Sequence, residues 1–134
     1  MKKLTVLVVI ILIAGLLAGC WVLPESKLIS IVVKPESMDL VEPGTASLTS
    51  KNAGAIESVT ANYNDGTSED IKLTDCEYSS NDPDVAIVDI VGNEVLIRAV
   101  GTGEAVILVT YTQHNFWTGR VIETDIVGVF VGNK

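Results

Sequence analysis

From residue 27 onward, apolar and polar positions alternate in short runs separated by turn-forming residues. Ile29, Ile31 and Val33 lie two apart, with Leu28 displaced from their face, and the run stops at Lys34-Pro35. That period places side chains on one face of a strand. Met38 and Leu40 resume the apolar positions, and Glu42-Pro43-Gly44 turns the chain into residues 45–50, where Ala46 and Leu48 share a face. Residues 51–55 read as a loop carrying Asn52 and Gly54. Val59, Ala61 and Tyr63 form a strand ending at Asn64-Asp65-Gly66, a hairpin signal because Asp and Gly tolerate positive φ. Ile71 and Leu73 point inward if residues 67–74 are extended.

The densest turn signal lies in residues 78–89, Tyr-Ser-Ser-Asn-Asp-Pro-Asp-Val-Ala-Ile-Val-Asp. Ser79, Ser80, Asn81 and Asp82 can each bond nearby backbone, and Pro83 biases Asp82 towards extended geometry, so the chain turns a corner here. Residues 85–88 then supply a short strand. Gly92-Asn93 marks another hairpin, after which Val95, Ile97 and Ala99 face inward and Arg98 faces out. Gly101-Thr102-Gly103 turns the chain again. Ala105, Ile107 and Val109 share a face, but Val106 and Leu108 opposite are apolar too, which predicts a central strand covered on both sides. A loop over 113–119 leads to a last strand over 120–131. There Val121, Glu123 and Asp125 share a phase with Val127, Val129 and Val131, so a change of exposure near Gly128 predicts a bulge. No segment keeps a helical period. Strands at 8 to 12 residue spacing predict an all-β sandwich.

The chain start has a different character. Lys2 and Lys3 precede an apolar run over 4–17, followed by Leu17-Ala18-Gly19-Cys20. The run is short for a membrane span, which needs about 20 apolar residues. It resembles a bacterial lipoprotein signal with its lipobox. The resemblance implies cleavage after residue 19, a diacylglyceryl group on the Cys20 sulfur, and acylation of the new amino group by chains such as palmitate. The alternative is an ordinary secretory signal followed by an unrelated Cys. Two or more acyl chains hold a protein stably on a bilayer where one is marginal. The expected organisation is therefore a signal over 1–19, lipidated Cys20 and a tether over 20–26, and a domain over 27–134. Trp21 and Val22 would rest near the lipid interface. By analogy with other lipoproteins, the lack of Asp after Cys20 favours the outer membrane or cell surface in a Gram-negative cell.

Removing 19 of 134 residues leaves 115, enough for one sandwich domain. Of 9 basic residues two leave with the signal, so 7 oppose 17 acidic ones, a net charge of −10. This disfavours nucleic acid as a partner and suits solubility, calcium or a basic partner. With Cys20 committed to lipid, Cys76 has no disulfide partner in the chain and reads as a small buried hydrophobe.

Several pieces together resemble the bacterial immunoglobulin-like domain of group 2, the type found in invasin and intimin adhesins. They are Ile31-x-Val33-x-Pro35, Leu40 with Gly44, Tyr63-x-Asp65-Gly66-Thr67-Ser68, residues 79–89 as Ser-Ser-Asn-Asp-Pro-x-Val-Ala-x-Val-Asp, and Gly101-x-Gly103-x-Ala105-x-Ile107. The match spans residues 28–132, with Tyr78 where the family usually has Trp. The resemblance implies an immunoglobulin-like sandwich of the kind used as tandem spacers or binding tips. A lone copy on a six-residue tether extends nothing far, which favours binding over spacing.

Chemistry is sparse. His114 is the sole histidine and has no neighbouring carboxylate in sequence, and there is no nucleophile elbow or metal-ligand spacing, so an enzyme is not expected. Asp65, Asp82 and Asp84 head the candidate calcium ligands, with Asn64, Glu69, Asp70 and Asp89 beside them in sequence. Turns are rich in such residues for backbone reasons alone. Phe116 and Trp117 are large apolar residues where a loop is normally polar, and they are the candidate contact site, unless the tip folds back to cap the sandwich. The expected function is adhesion or protein interaction at the cell surface. The alternatives are a periplasmic assembly subunit docking through its long last strand as an edge, and a carbohydrate-binding accessory module using Phe116 and Trp117.

Overall fold

The computed structural model describes residues 25–44, 51–116 and 119–133, and within them the alternating runs become strands. The signal, Cys20, the strand expected at 45–50 and Trp117 lie outside the described residues. Among the described residues ten strands follow in order: β1 (Leu28–Lys34), β2 (Ser37–Val41), β3 (Ala53–Ala55), β4 (Ser58–Tyr63), β5 (Ser68–Ile71), β6 (Cys76–Ser80), β7 (Ala86–Val91), β8 (Glu94–Ala99), β9 (Gly103–Asn115) and β10 (Gly119–Gly132). A 3-10 turn, Leu73–Asp75, precedes β6.

One layer is the four-stranded sheet β2-β10-β9-β6. The other combines β1-β4-β5 with β3-β8-β7. The Ile56 N–H donates to the Val95 carbonyl at 2.9 Å, carrying the β3–β8 ladder to within two residues of β4, so the two smaller sheets form one facing layer. Inward residues from all three sheets meet in one cluster that includes Val33, Leu40, Val59, Ile97, Ile107, Val109 and Val127. Fully burying such a side chain stabilises the fold by about 1.5–3 kcal/mol each. The sandwich is thus an all-β structure in which alternation decides which side chains fill the core.

The first strand changes layer. β1 pairs antiparallel with β4, the peptide bond before Pro35 is cis, and β2 then pairs in parallel with β10 in the opposite sheet. The break expected at Lys34-Pro35 is this crossing. The corner at residues 78–89 is a second crossing, because β6 belongs to the large sheet and β7 to the facing layer. Gly66 (φ 84°) closes the β4–β5 hairpin as expected, and Gly92 lies in the β7–β8 hairpin.

Several expectations are corrected. Leu28, not Ile29, enters the core: Leu28 is 1% exposed and Ile29 53%. The β1–β4 register shifts between Leu28 and Ser30, and this irregularity puts Leu28 on the inward phase that Ile29 would otherwise hold. Residues 53–55 form a strand rather than a loop, held by pairing with β8. Leu73 lies in the 3-10 turn, though it still packs against the core. β9 is central, between β10 and β6, but Leu108 is 43% exposed, so its outer face is open rather than covered. The loop expected at 113–119 shrinks, since β9 runs to Asn115 and pairs with Gly119. No bulge occurs at Gly128, because the β9–β10 register is continuous from Gly119 to Val131.

Candidate interaction site

The corner at 78–89 is built from its own side chains. The Asn81 backbone amide donates to the Val106 carbonyl at 3.0 Å, and its side-chain Oδ1 accepts the Val106 amide at 2.7 Å, so this one residue extends the β6–β9 ladder past β6. Asp82 Oδ1 accepts the Asp84 amide at 3.2 Å, and the Asp82 carbonyl accepts the amides of Val85 and Ala86. The Val85 carbonyl accepts the Val100 amide at 2.8 Å, which pins the corner to the turn before β9. Gly101 is needed for this contact, since a Cβ there would stand 2.8 Å from the Asp84 carbonyl oxygen. Tyr78 packs against the core while its hydroxyl donates to the Leu73 carbonyl at 2.7 Å. An aromatic with a polar end suits that half-buried place.

The candidate calcium ligands are spread among separate tasks. Asp65 Oδ1 accepts both the amide (2.9 Å) and the hydroxyl (2.6 Å) of Thr67, and these bonds hold its carboxyl below the ordinary value of 3.8. Asp70 accepts the Thr60 hydroxyl, Asp89 pairs with Arg98 at 2.7 Å, and Asn64 Oδ1 accepts the Lys27 amide. Asp65, on the β4–β5 turn, is not brought together with Asp82 and Asp84. Among the described residues no group of three or more His, Cys, Asp or Glu could hold a metal ion. Asp65 and Asp82 each cap a backbone amide two residues on, a role that a turn position gives such residues for backbone reasons alone.

The buried titratable groups are quiet. Burial pushes the Cys76 thiol up, outweighing the nearby Tyr78 hydroxyl that acts the other way, and this disfavours the reactive thiolate. Burial likewise raises Tyr63, Tyr78 and Tyr111, with Glu69 adding to the effect at Tyr63 and Tyr111. His114 is exposed and lies opposite Arg120 in the β9–β10 pair.

Exposed apolar groups are concentrated more than the sequence reading allowed. Phe116 is 91% exposed at the β9–β10 tip, so for this residue the folded-back cap is corrected. A second group covers the outer face of the large sheet: Leu108 (43%), Ile126 (53%) and Phe130 (50%) are exposed there. Leu108 stands opposite Ile126, and Val106 opposite Gly128. Because Gly128 has no side chain, a groove of about 260 Å³ opens there, with Ser37, Asp39, Val106 and Phe130 in its lining. The signal for this face lies in Val106 and Leu108, apolar on the phase opposite the core, a pattern that by itself predicts burial under a further layer.

No family model matches the chain, and no curated protein matches it. Among solved structures, the crystal structure of the S-layer protein rSbsC(31-844) is similar, with a TM-score of 0.50 and 17% identity over 81% of this chain. The match spans 13% of that protein's chain, and the likeness is one of fold. Among the described residues no helix is long and apolar enough to cross a membrane.

Proposed function

We propose that this chain is an exported, lipid-anchored module carrying one immunoglobulin-like sandwich, and that it acts by binding at the cell surface rather than by chemistry. The observation that carries the binding reading is the open outer face of the large sheet, where Leu108, Ile126 and Phe130 are exposed around the groove at Gly128. A contiguous apolar patch on a protein surface marks an interaction site more often than isolated exposed residues do. The immunoglobulin-like assignment is supported by the first strand, which changes sheet at Pro35 and pairs in parallel with the last one. The anchor rests on the lipobox-like Leu17-Ala18-Gly19-Cys20.

Docking by edge-strand addition is less well supported than docking on this face. Over Gly128–Gly132 the last strand lies between β9 and β2 and offers no open ladder there, and over residues 119–127, where β9 alone pairs with it, β1 runs beside it. The outer strands β1, β2, β3, β5, β6 and β7 are 7, 5, 3, 4, 5 and 6 residues long, and short edges resist strand addition. The test is cross-linking of the anchored protein in its own membrane, comparing the natural chain with Leu108→Ser and Ile126→Ser. Loss of the same cross-linked partner from both variants supports the reading. Unchanged capture by both would remove the outer face from consideration.

A further inference from the structure

The end of the sandwich at which the tether enters can be located from hydrogen bonds. The Val33 amide donates to Asp125 Oδ2 at 2.9 Å, residues 92 apart in the chain. Three residues on, the Gly128 amide donates to the Glu36 carbonyl at 2.9 Å, again an offset of 92. Residues 33–41 therefore run alongside β10 in the same direction, as the parallel β2–β10 register also requires. Carrying the offset back puts Lys27 level with Gly119, to within the one-residue irregularity in β1. Gly119 is the first residue of β10 and stands opposite Asn115, the last of β9. Lys27 is also fastened there, since its amide donates to Asn64 Oδ1 at 2.8 Å and its carbonyl accepts the Asn64 amide at 2.9 Å.

Phe116 and the tether entry thus share one end of the domain. The corner at Asp82–Asp84, the turn at Gly101–Gly103 and the end of β10 lie at the other, since Gly103 pairs with Val131. Six residues lie between Cys20 and Lys27, so the seven residue steps reach at most about 25 Å even fully extended. An anchored chain therefore holds its Phe116 end towards the bilayer. A nearly bare Phe loses apolar exposure by entering the interface, and tethering raises its effective concentration there. The charges at this end are of both signs, Lys27 and Arg120 against Glu25 and Asp65, so apolar contact rather than charge attraction is the driving term.

We propose that Phe116, at the end where β9 passes into β10, is a membrane-contact residue that seats the domain on the lipid bilayer to which it is anchored, leaving the Gly101 end and the outer sheet face for partners. This rests on the proposed lipid anchor at Cys20, and the test separates the two. The full lipidated chain is reconstituted into phosphatidylcholine vesicles carrying shallow nitroxide-labelled lipid, with Cys76→Ser to leave one labelling site. A fluorophore is placed at His114→Cys or, at the opposite end, at Thr102→Cys. Quenching several-fold stronger at 114 than at 102, falling towards the value at 102 when Phe116→Ser is added, is the expected result. Equal quenching at the two positions, or quenching at 114 indifferent to Phe116→Ser, overturns the contact while vesicle flotation shows the anchor intact. Failure of the natural chain to float, or flotation unaffected by Cys20→Ala, removes the anchor and the contact together.

Discussion

The Asp125 carboxylate accepts the Val33 amide across the seam between the two layers, at 2.9 Å. Val33 belongs to β1, whose ladder partner is β4, and Asp125 belongs to β10 in the opposite sheet. Asp125 occupies the same phase as Val127, Val129 and Val131, where a fourth Val would have been the simple choice. A carboxylate in that place satisfies an edge amide and closes the side of the sandwich.

Hydrogen bonds to charged groups contribute about 1.5–3 kcal/mol, so Asp125→Ala should destabilise the protein by that order. Asp125→Asn, which keeps an acceptor oxygen, should cost less. Urea denaturation of the variants checks this, and equal stability of Asp125→Ala and the natural chain would mean that the bond contributes nothing.

The phase of β1 can be read by a pair of truncations. Leu28→Ala should cost about 2–5 kcal/mol as a core deletion, and Ile29→Ala well under half of that, because Ile29 is 53% exposed. The reverse order in thermal or chemical unfolding would restore simple alternation and refute the irregularity at the strand start.

At the second crossing, Gly101→Ala should destabilise by about 1–3 kcal/mol, since its Cβ would meet backbone rather than a movable side chain. A compensating truncation cannot relieve a contact with the Asp84 carbonyl. A melting temperature unchanged by Gly101→Ala would show that the corner yields.

Stability should fall in alkali. Tyr63, Tyr78 and Tyr111 are raised above 10.0 by burial, and Cys76 above 9.0 for the same reason. Each group holds its proton more tightly folded than unfolded. Its contribution is complete below the unfolded value and is lost as pH rises through the folded one. Denaturation midpoints should therefore hold steady below pH 9 and decline above it, and Tyr78→Phe should make that decline shallower. Cys76 should also resist alkylation at neutral pH until the protein unfolds.

Much of this fold was legible because the turn chemistry is local. Asn64-Asp65-Gly66, Gly92-Asn93 and Gly101-Thr102-Gly103 turn where their residues say, and the triplets Val95, Ile97, Ala99 and Ala105, Ile107, Val109 face inward as their spacing predicts. What escaped depends on partners distant in sequence. Ala53–Ala55 has little strand propensity of its own and is a strand because β8 pairs with it. Leu28 is inward because of a register shift against β4, and Asp125 is polar on an apolar phase because it faces Val33. At the candidate site, Phe116 was found from its place in a turn. The outer-face patch is visible in the sequence only as apolar residues, because alternation does not distinguish a covered face from an exposed one.

Protease accessibility of the tagged, lipidated protein on intact cells, compared with cells whose envelope has been permeabilised, tests the proposed surface-binding role most directly. Digestion on intact cells is the predicted result, placing the domain on the exterior. Protection until permeabilisation would contradict it and assign the module to a complex inside the envelope.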